Sequence, residues 1–180
     1  MLAASGLTVM AEPFDAKLID LLRRWQSWPQ VGGLPGRDCF DPTDMPHLLP
    51  QIILLEYDTN PNPYRDYDGL HRYIGTRVGE DFNMARRTRT HMSSGGQAFA
   101  ERWFPVHDQL RQTRQPLAVQ GIPYLVDKVY LRFEILYLPL ARSLVARPVA
   151  AQPAAAEQSE PAEVAYALMA AHQGPDPQRS

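Results

Sequence analysis

Between Glu12 and Trp28 the large apolar residues Phe14, Leu18, Leu21, Trp25 and Trp28 recur at spacings of 4, 3, 4 and 3, a single stripe on an α-helix. Residues 15–26 contain neither Gly nor Pro, and Pro29 stops the pattern, so a helix is predicted within residues 12–30. Two heptads do not establish a coiled coil. The stripe suits either a helix covering its own domain or an association surface. Its size favours the second, and the five residues are expected to form an interface.

After a Gly-rich turn (Gly32, Gly33, Pro35, Gly36) comes a segment with written start and stop signals. Asp41 is a good N-cap, Pro42 suits the first helical position, and Asp44 adds a carboxylate over the first turn. A short helix is predicted there, with Leu48 and Leu49 on its apolar side and Pro50 at its end. Ile52-Ile53-Leu54-Leu55 is apolar on both faces, as a central strand covered on both sides requires. The predicted strand Gln51–Tyr57 is expected to form a hairpin with Leu70–Thr76 through a long, Pro- and Asn-rich loop. It is also expected to lie beside a last strand, Glu163–Ala171.

Residues 77–94 are polar, with a helical turn expected near Asp81–Ala85 and a basic cluster at Arg86, Arg87, Arg89 and His91 that reads as solvated loop. Phe99, Trp103, Val106 and Leu110 have helical spacing, and Pro105 is expected to kink or split that helix. Pro116–Tyr124 and Val129–Leu138 read as strands joined by a turn at Leu125–Lys128. The second places Val129, Leu131, Phe133, Ile135 and Tyr137 on one face. Residues 145–163 are dominated by Ala, Pro, Gln and Glu and are expected to be a disordered insertion. Residues 1–11 carry no pattern and are expected to be disordered, and residues 172–180 a tail. Strands at both ends with helices between them imply an α+β domain over residues 34–171, an antiparallel five-stranded sheet with helices on one face, plus the N-terminal helix.

Composition changes this picture little. A chain of 180 residues accommodates one such domain with extensions. A formal net charge of −2 argues against binding nucleic acid or an acidic membrane surface. Cys39 is the only cysteine, so neither a disulfide framework nor a Cys-based zinc site is present. No apolar run approaches the roughly 20 residues of a membrane span, and no basic residue precedes Lys17, as a secretory signal requires. A cytoplasmic protein without membrane insertion is expected.

Candidate chemistry is sparse. His47, His71, His91, His107 and His172 show no metal-ligand spacing, and no metal site is assigned. Asp38, Asp41 and Asp44 serve turns and caps, while Glu56 and Asp81 form no recognisable acid/base pair. Ser93-Ser94-Gly95-Gly96 lacks the Lys of a phosphate loop, and no nucleophile motif appears. No catalytic residue is assigned.

Leu-Pro-x-Arg, then Phe-Asp-Pro-x-Asp-Met-Pro-x-Leu-Leu-Pro and a hydrophobic strand, resembles the start of an alphaproteobacterial family of short single-PAS-domain proteins. Arg72-Tyr73-Ile74-Gly75-Thr76 and Leu138-Pro139-Leu140 match later parts of that pattern in order. The resemblance implies a PAS-like fold and a sensory or regulatory role in signal transduction, through contact with another signalling protein or as a homodimer. A PAS fold places its ligand cavity between helices and sheet, where Tyr73, Trp103, His107, Tyr124 and Tyr137 are expected. No cofactor is assigned. Light-sensing PAS domains carry their flavin-adduct cysteine after the second strand, whereas Cys39 precedes the first; His107 as an axial haem ligand is weighed below an ordinary structural histidine. The alternative is a small α+β enzyme or a carrier of a hydrophobic ligand.

Overall fold

A computed structural model of the protein describes residues 6–82, 84, 89–122, 131–142 and 162–175. In chain order the elements are β1 (Leu7–Met10), α1 (Ala16–Ser27), β2 (Gln30–Val31), β3 (Leu34–Pro35), β4 (Ile52–Asp58), β5 (Asp68–Ile74), α2 (Thr76–Asp81), α3 (Gln97–Thr113), β6 (Leu117–Gly121), β7 (Leu131–Leu140) and β8 (Tyr166–Pro175). Among the described residues one six-stranded sheet has the order β1-β6-β7-β8-β4-β5, every neighbouring pair antiparallel. The molecule is therefore of the α+β class.

The doubly apolar run is a central strand. β4 pairs with β5 on one side and with β8 on the other, Ile53 standing opposite both Ile74 and Met169. β8 continues past Ala171 to Pro175 because it pairs along the whole of β7, from Leu140↔Tyr166 to Leu131↔Pro175. Residues 172–175, expected to open a tail, are strand instead. The sixth strand corrects the disorder expected over residues 1–11 at Leu7–Met10, while residues 1–5 lie outside the described residues. Leu7–Met10 pairs with β6, from Leu7↔Gly121 to Met10↔Ala118, and Leu7 is buried. A four-residue strand is too short to show periodicity, and it gains its order from the partner.

Side-chain alternation separates the two faces of the sheet. Ile53, Phe133, Ile135, Tyr137, Met169 and Ala171 face α3 across a cavity, and Leu54, Leu136, Leu138, Leu168 and Ala170 point the other way. Those residues are buried as well, because α1 packs on that second face against β7 and β8. The face is identified by the attachment of the helix. Glu134 and His172, opposite each other on β7 and β8, both reach its first turn. Glu134 Oε2 accepts from the backbone N–H of Phe14 (3.0 Å) and of Asp15 (3.1 Å), while His172 Nδ1 lies 3.3 Å from Asp15 Oδ2. The other carboxylate oxygen of Asp15 caps the N–H groups of Lys17 and Leu18. Near the far end of the helix, Trp25 Nε1 donates to the Pro139 carbonyl at 3.0 Å.

The stripe on α1 is therefore core. Leu18, Leu21 and Trp25 are buried, Trp28 is partly buried against the same cluster, and only Phe14 stands in solvent at 74% exposure. The expected interface on these residues is corrected for one physical reason: a second-face sheet core needs a cover, and the stripe supplies it.

Three local expectations change. Asp41 caps as predicted, accepting from Thr43 N at 2.8 Å, but Pro42–Asp44 is a 3-10 turn and Leu49–Gln51 a second one. Pro46, which lacks an N–H, prevents one continuous helix, and Pro50 lies inside the second turn. Gly32 and Gly33, at φ of +60° and +81°, form the two-residue turn of the small β2–β3 hairpin, a conformation that favours glycine. α3 remains one helix through Pro105. The carbonyl that loses its partner belongs to exposed Glu101, while Phe104, Val106, His107 and Leu110 anchor the helix beyond it. The turn at Leu125–Lys128 lies outside the described residues, as do residues 145–161 of the expected insertion. No described helix is long and apolar enough to cross a membrane.

Candidate functional site: a helix–sheet cavity

A cavity of about 230 Å³ lies between the first sheet face and the helices α2 and α3. Its floor is Ile53 of β4, Phe133, Ile135 and Tyr137 of β7, and Met169 and Ala171 of β8. α3 contributes Phe99, Trp103 and His107, one side of the helix at i, i+4 and i+8. Val78 and Phe82 close it at α2, and Met92 at a 3-10 turn, Met92–Gly95. That turn is fastened by buried Asp68, which accepts from Ser93 N (3.2 Å) and Ser93 Oγ (2.5 Å) as well as from Gly69 N (2.7 Å). The carboxylate thereby orders the entrance to β5 and the Met92 wall together.

Three of the five expected ligand-facing residues meet here: Trp103, His107 and Tyr137. Tyr124 lies outside the described residues. Tyr73 is not in the cavity wall, and a β-bulge explains why. The β4–β5 register shifts between Leu54 and Leu55, so that Leu54 stands opposite Tyr73 and Leu55 opposite His71. The extra residue, Arg72, puts His71 and Tyr73 on opposite faces although they are two apart. Tyr73 turns away and donates its hydroxyl to the Leu49 carbonyl at 3.0 Å, while His71 joins the cavity. His71 was thus missed as a site residue, since strict alternation carries no sign of a bulge.

The buried polar groups of the cavity wall are two imidazoles and the Tyr137 hydroxyl, and the partly exposed Asp81 and Arg102 also line it. His107 Nδ1 lies 2.6 Å from Tyr57 Oη, and its ring meets Tyr57 and Tyr137 edge-on at centroid distances of 5.7 and 5.4 Å. His71 Nδ1 lies 2.8 Å from the Thr90 carbonyl oxygen. Burial disfavours the charged form of both rings and lowers the pKa of each, that of His107 to about 3. Burial likewise pushes the hydroxyls of Tyr57 and Tyr137 above the usual phenol range. The pair is backed by a second layer in which Tyr67 Oη donates to Asp108 at 2.7 Å, Arg65 pairs with Asp108 at 3.0 Å, and the Arg111 guanidinium lies 4.0 Å from the Tyr67 ring centroid.

Two neutral buried histidines make stability depend on pH. The unfolded chain protonates near 6.5 while folded His107 resists down to about 3, so the unfolded state binds more protons across that interval. Stability is complete above about pH 6.5 and falls as pH drops toward 3, at about 1.4 kcal/mol per unit from His107 alone. His107→Asn, which keeps an acceptor for Tyr57, is expected to flatten the dependence of urea-unfolding free energy between pH 7 and 5. An unchanged slope contradicts the assignment.

The other candidates resolve as structural. Glu56 is bound by Arg72, by Arg142 at 3.5 Å and by Tyr166 Oη at 3.2 Å. Asp81 pairs with Arg77 at 3.5 Å, and His91 lies 3.6 and 3.7 Å from Asp58 and Asp68. Arg86 and Arg87 lie outside the described residues. Among the described residues no group of three or more His, Cys, Asp or Glu can hold a metal ion. Comparison with known protein families, curated proteins and solved structures gives no match, so the functional reading rests on the cavity and the sheet alone.

Proposed function

We propose that the chain is a PAS-like sensory or regulatory module that acts through contact with another signalling protein or a second copy, gated by a small ligand in the helix–sheet cavity. The observation that carries this reading is the cavity itself, a partly open cleft between α3 and the sheet lined mostly by apolar side chains with a few polar groups among them, the composition of a small-molecule site. The sheet supports it: it is antiparallel, β4 lies between β5 and the closing strand β8, and α2 and α3 cover one face, the arrangement the resemblance implies. Fold analogy alone does not establish function, so the cavity bears the weight.

The enzyme alternative has less support. A general acid or base works best with a pKa near the working pH, whereas burial holds His107 far below it. Neither cavity histidine is oriented by a carboxylate; a phenol and a backbone carbonyl do so instead. The output contact does not use Leu18, Leu21 or Trp25, which are core.

Native mass spectrometry of the purified full chain tests the reading. The expected spectrum shows a small molecule released on denaturation, and its displacement by the filling substitution Ala98→Phe in the cavity wall. A bare protein whose thermal transition no member of a small-molecule library moves would sink the proposal. Turnover of a bound compound would turn it toward the alternative.

A further inference from the structure

The two cavity histidines differ in a way that selects a ligand. The Thr90 carbonyl only accepts, so His71 Nδ1 must donate to it. In the neutral ring this leaves His71 Nε2 without a proton, as an acceptor. At the other imidazole the assignment reverses. The hydroxyl of buried Tyr57 needs an acceptor, and among the described residues its one hydrogen-bond partner is His107 Nδ1. Tyr57 therefore donates, and neutral His107 carries its proton on Nε2, as a donor. Neither Nε2 has a protein partner among the described residues, and both rings line the same cavity.

The remaining wall sets size and character. Phe99, Trp103, Phe133 and Tyr137 offer ring edges and faces, with Met92 and Met169 as adaptable neighbours. A volume of about 230 Å³ exceeds the roughly 150 Å³ of an apolar cavity that holds benzene, and suits two fused rings. Asp81 and Arg102 also line the cavity, so the two imidazoles set the ligand's hydrogen bonding and not its charge. Resting on the sensory reading above, we infer that the cavity takes a two-ring aromatic molecule bearing both a hydrogen-bond donor and an acceptor, the donor held by His71 Nε2 and the acceptor by the N–H of His107.

The test uses the full chain and two probes of one shape, 2-naphthol and naphthalene, titrated by calorimetry at pH 7. 2-Naphthol is expected to bind at least about tenfold more tightly, and His107→Asn to erase that margin while leaving naphthalene unchanged. Side-chain ¹⁵N spectra of the unsubstituted protein supply a second readout that needs no variant. They are expected to show the Nδ1–H tautomer for His71 and the Nε2–H tautomer for His107. Equal affinities for the two probes, a shared tautomer or a cationic ring overturn the inference while leaving the cavity a ligand site. If neither probe binds, the inference falls, while the sensory reading is decided separately by the native mass spectrum and the ligand library.

Discussion

The double substitution Leu18→Glu, Leu21→Glu is expected to leave no cooperatively folded protein at 25 °C. Both leucines are almost wholly shielded from solvent in the layer between α1 and the second sheet face. Each replacement removes about 1.5–3 kcal/mol of apolar burial. Each also places a carboxylate in the apolar layer that Leu136, Leu138 and Leu168 form on that face, a cost of several kcal/mol per ion even after relaxation. The sum reaches the whole stability of an ordinary domain, about 5–15 kcal/mol. Phe14→Glu, at the exposed end of the same stripe, is the control and should leave the thermal transition in place. Circular dichroism on heating decides the matter. A folded double variant with a native transition would return the helix to the role of a detachable interface.

Gly75→Ala is expected to cost about 3 kcal/mol, a lowering of Tm by roughly 6–12 °C for a chain of this size. Gly75 sits where β5 turns into α2, and its N–H donates to the Ile52 carbonyl at 2.7 Å. A Cβ at this position runs into the carbonyl groups of Leu49 and Pro50, which are backbone and cannot rotate aside. Gly69→Ala is a useful contrast. Its Cβ meets the side chains of Leu55 at 2.7 Å and Met92 at 2.8 Å, which can move, so its effect should be smaller. If the two variants melt alike, the close approach of the 3-10 turn to β5 is not what requires glycine.

Where a pattern reports burial directly, the fold was legible in the sequence. Ile52 to Leu55 is apolar at four successive positions and lies between two strands; Phe99, Trp103, Val106 and Leu110 mark a helix, and it forms despite Pro105. The α1 stripe was legible as a stripe but not as an owner of a particular face. Its spacing says that something covers it, whereas the choice between its own sheet and a partner depends on Leu136, Leu138 and Leu168, which are over 100 residues away. β1 escaped notice because Leu7–Met10 has meaning only against β6. In the cavity, Trp103, His107 and Tyr137 follow from helix and strand periodicity. His71 and Tyr73 exchange places because one bulged residue reverses the alternation, and nothing in the composition around Arg72 announces it.

The position of β8 has a consequence for how the molecule comes into being. It is the last of the described strands in chain order yet lies between β7 and β4, and so joins two half-sheets, β1-β6-β7 and β4-β5. During synthesis each half is complete before β8 emerges, and each then presents a row of unpaired backbone donors and acceptors along the edge that β8 will occupy. Such edges are templates for pairing with other chains. The pairing of β4 with β8 spans more than 100 residues, the kind of non-local closure that slows folding. The sheet thus acquires its middle last, and the nascent chain is most exposed to mispairing just before β8 becomes available.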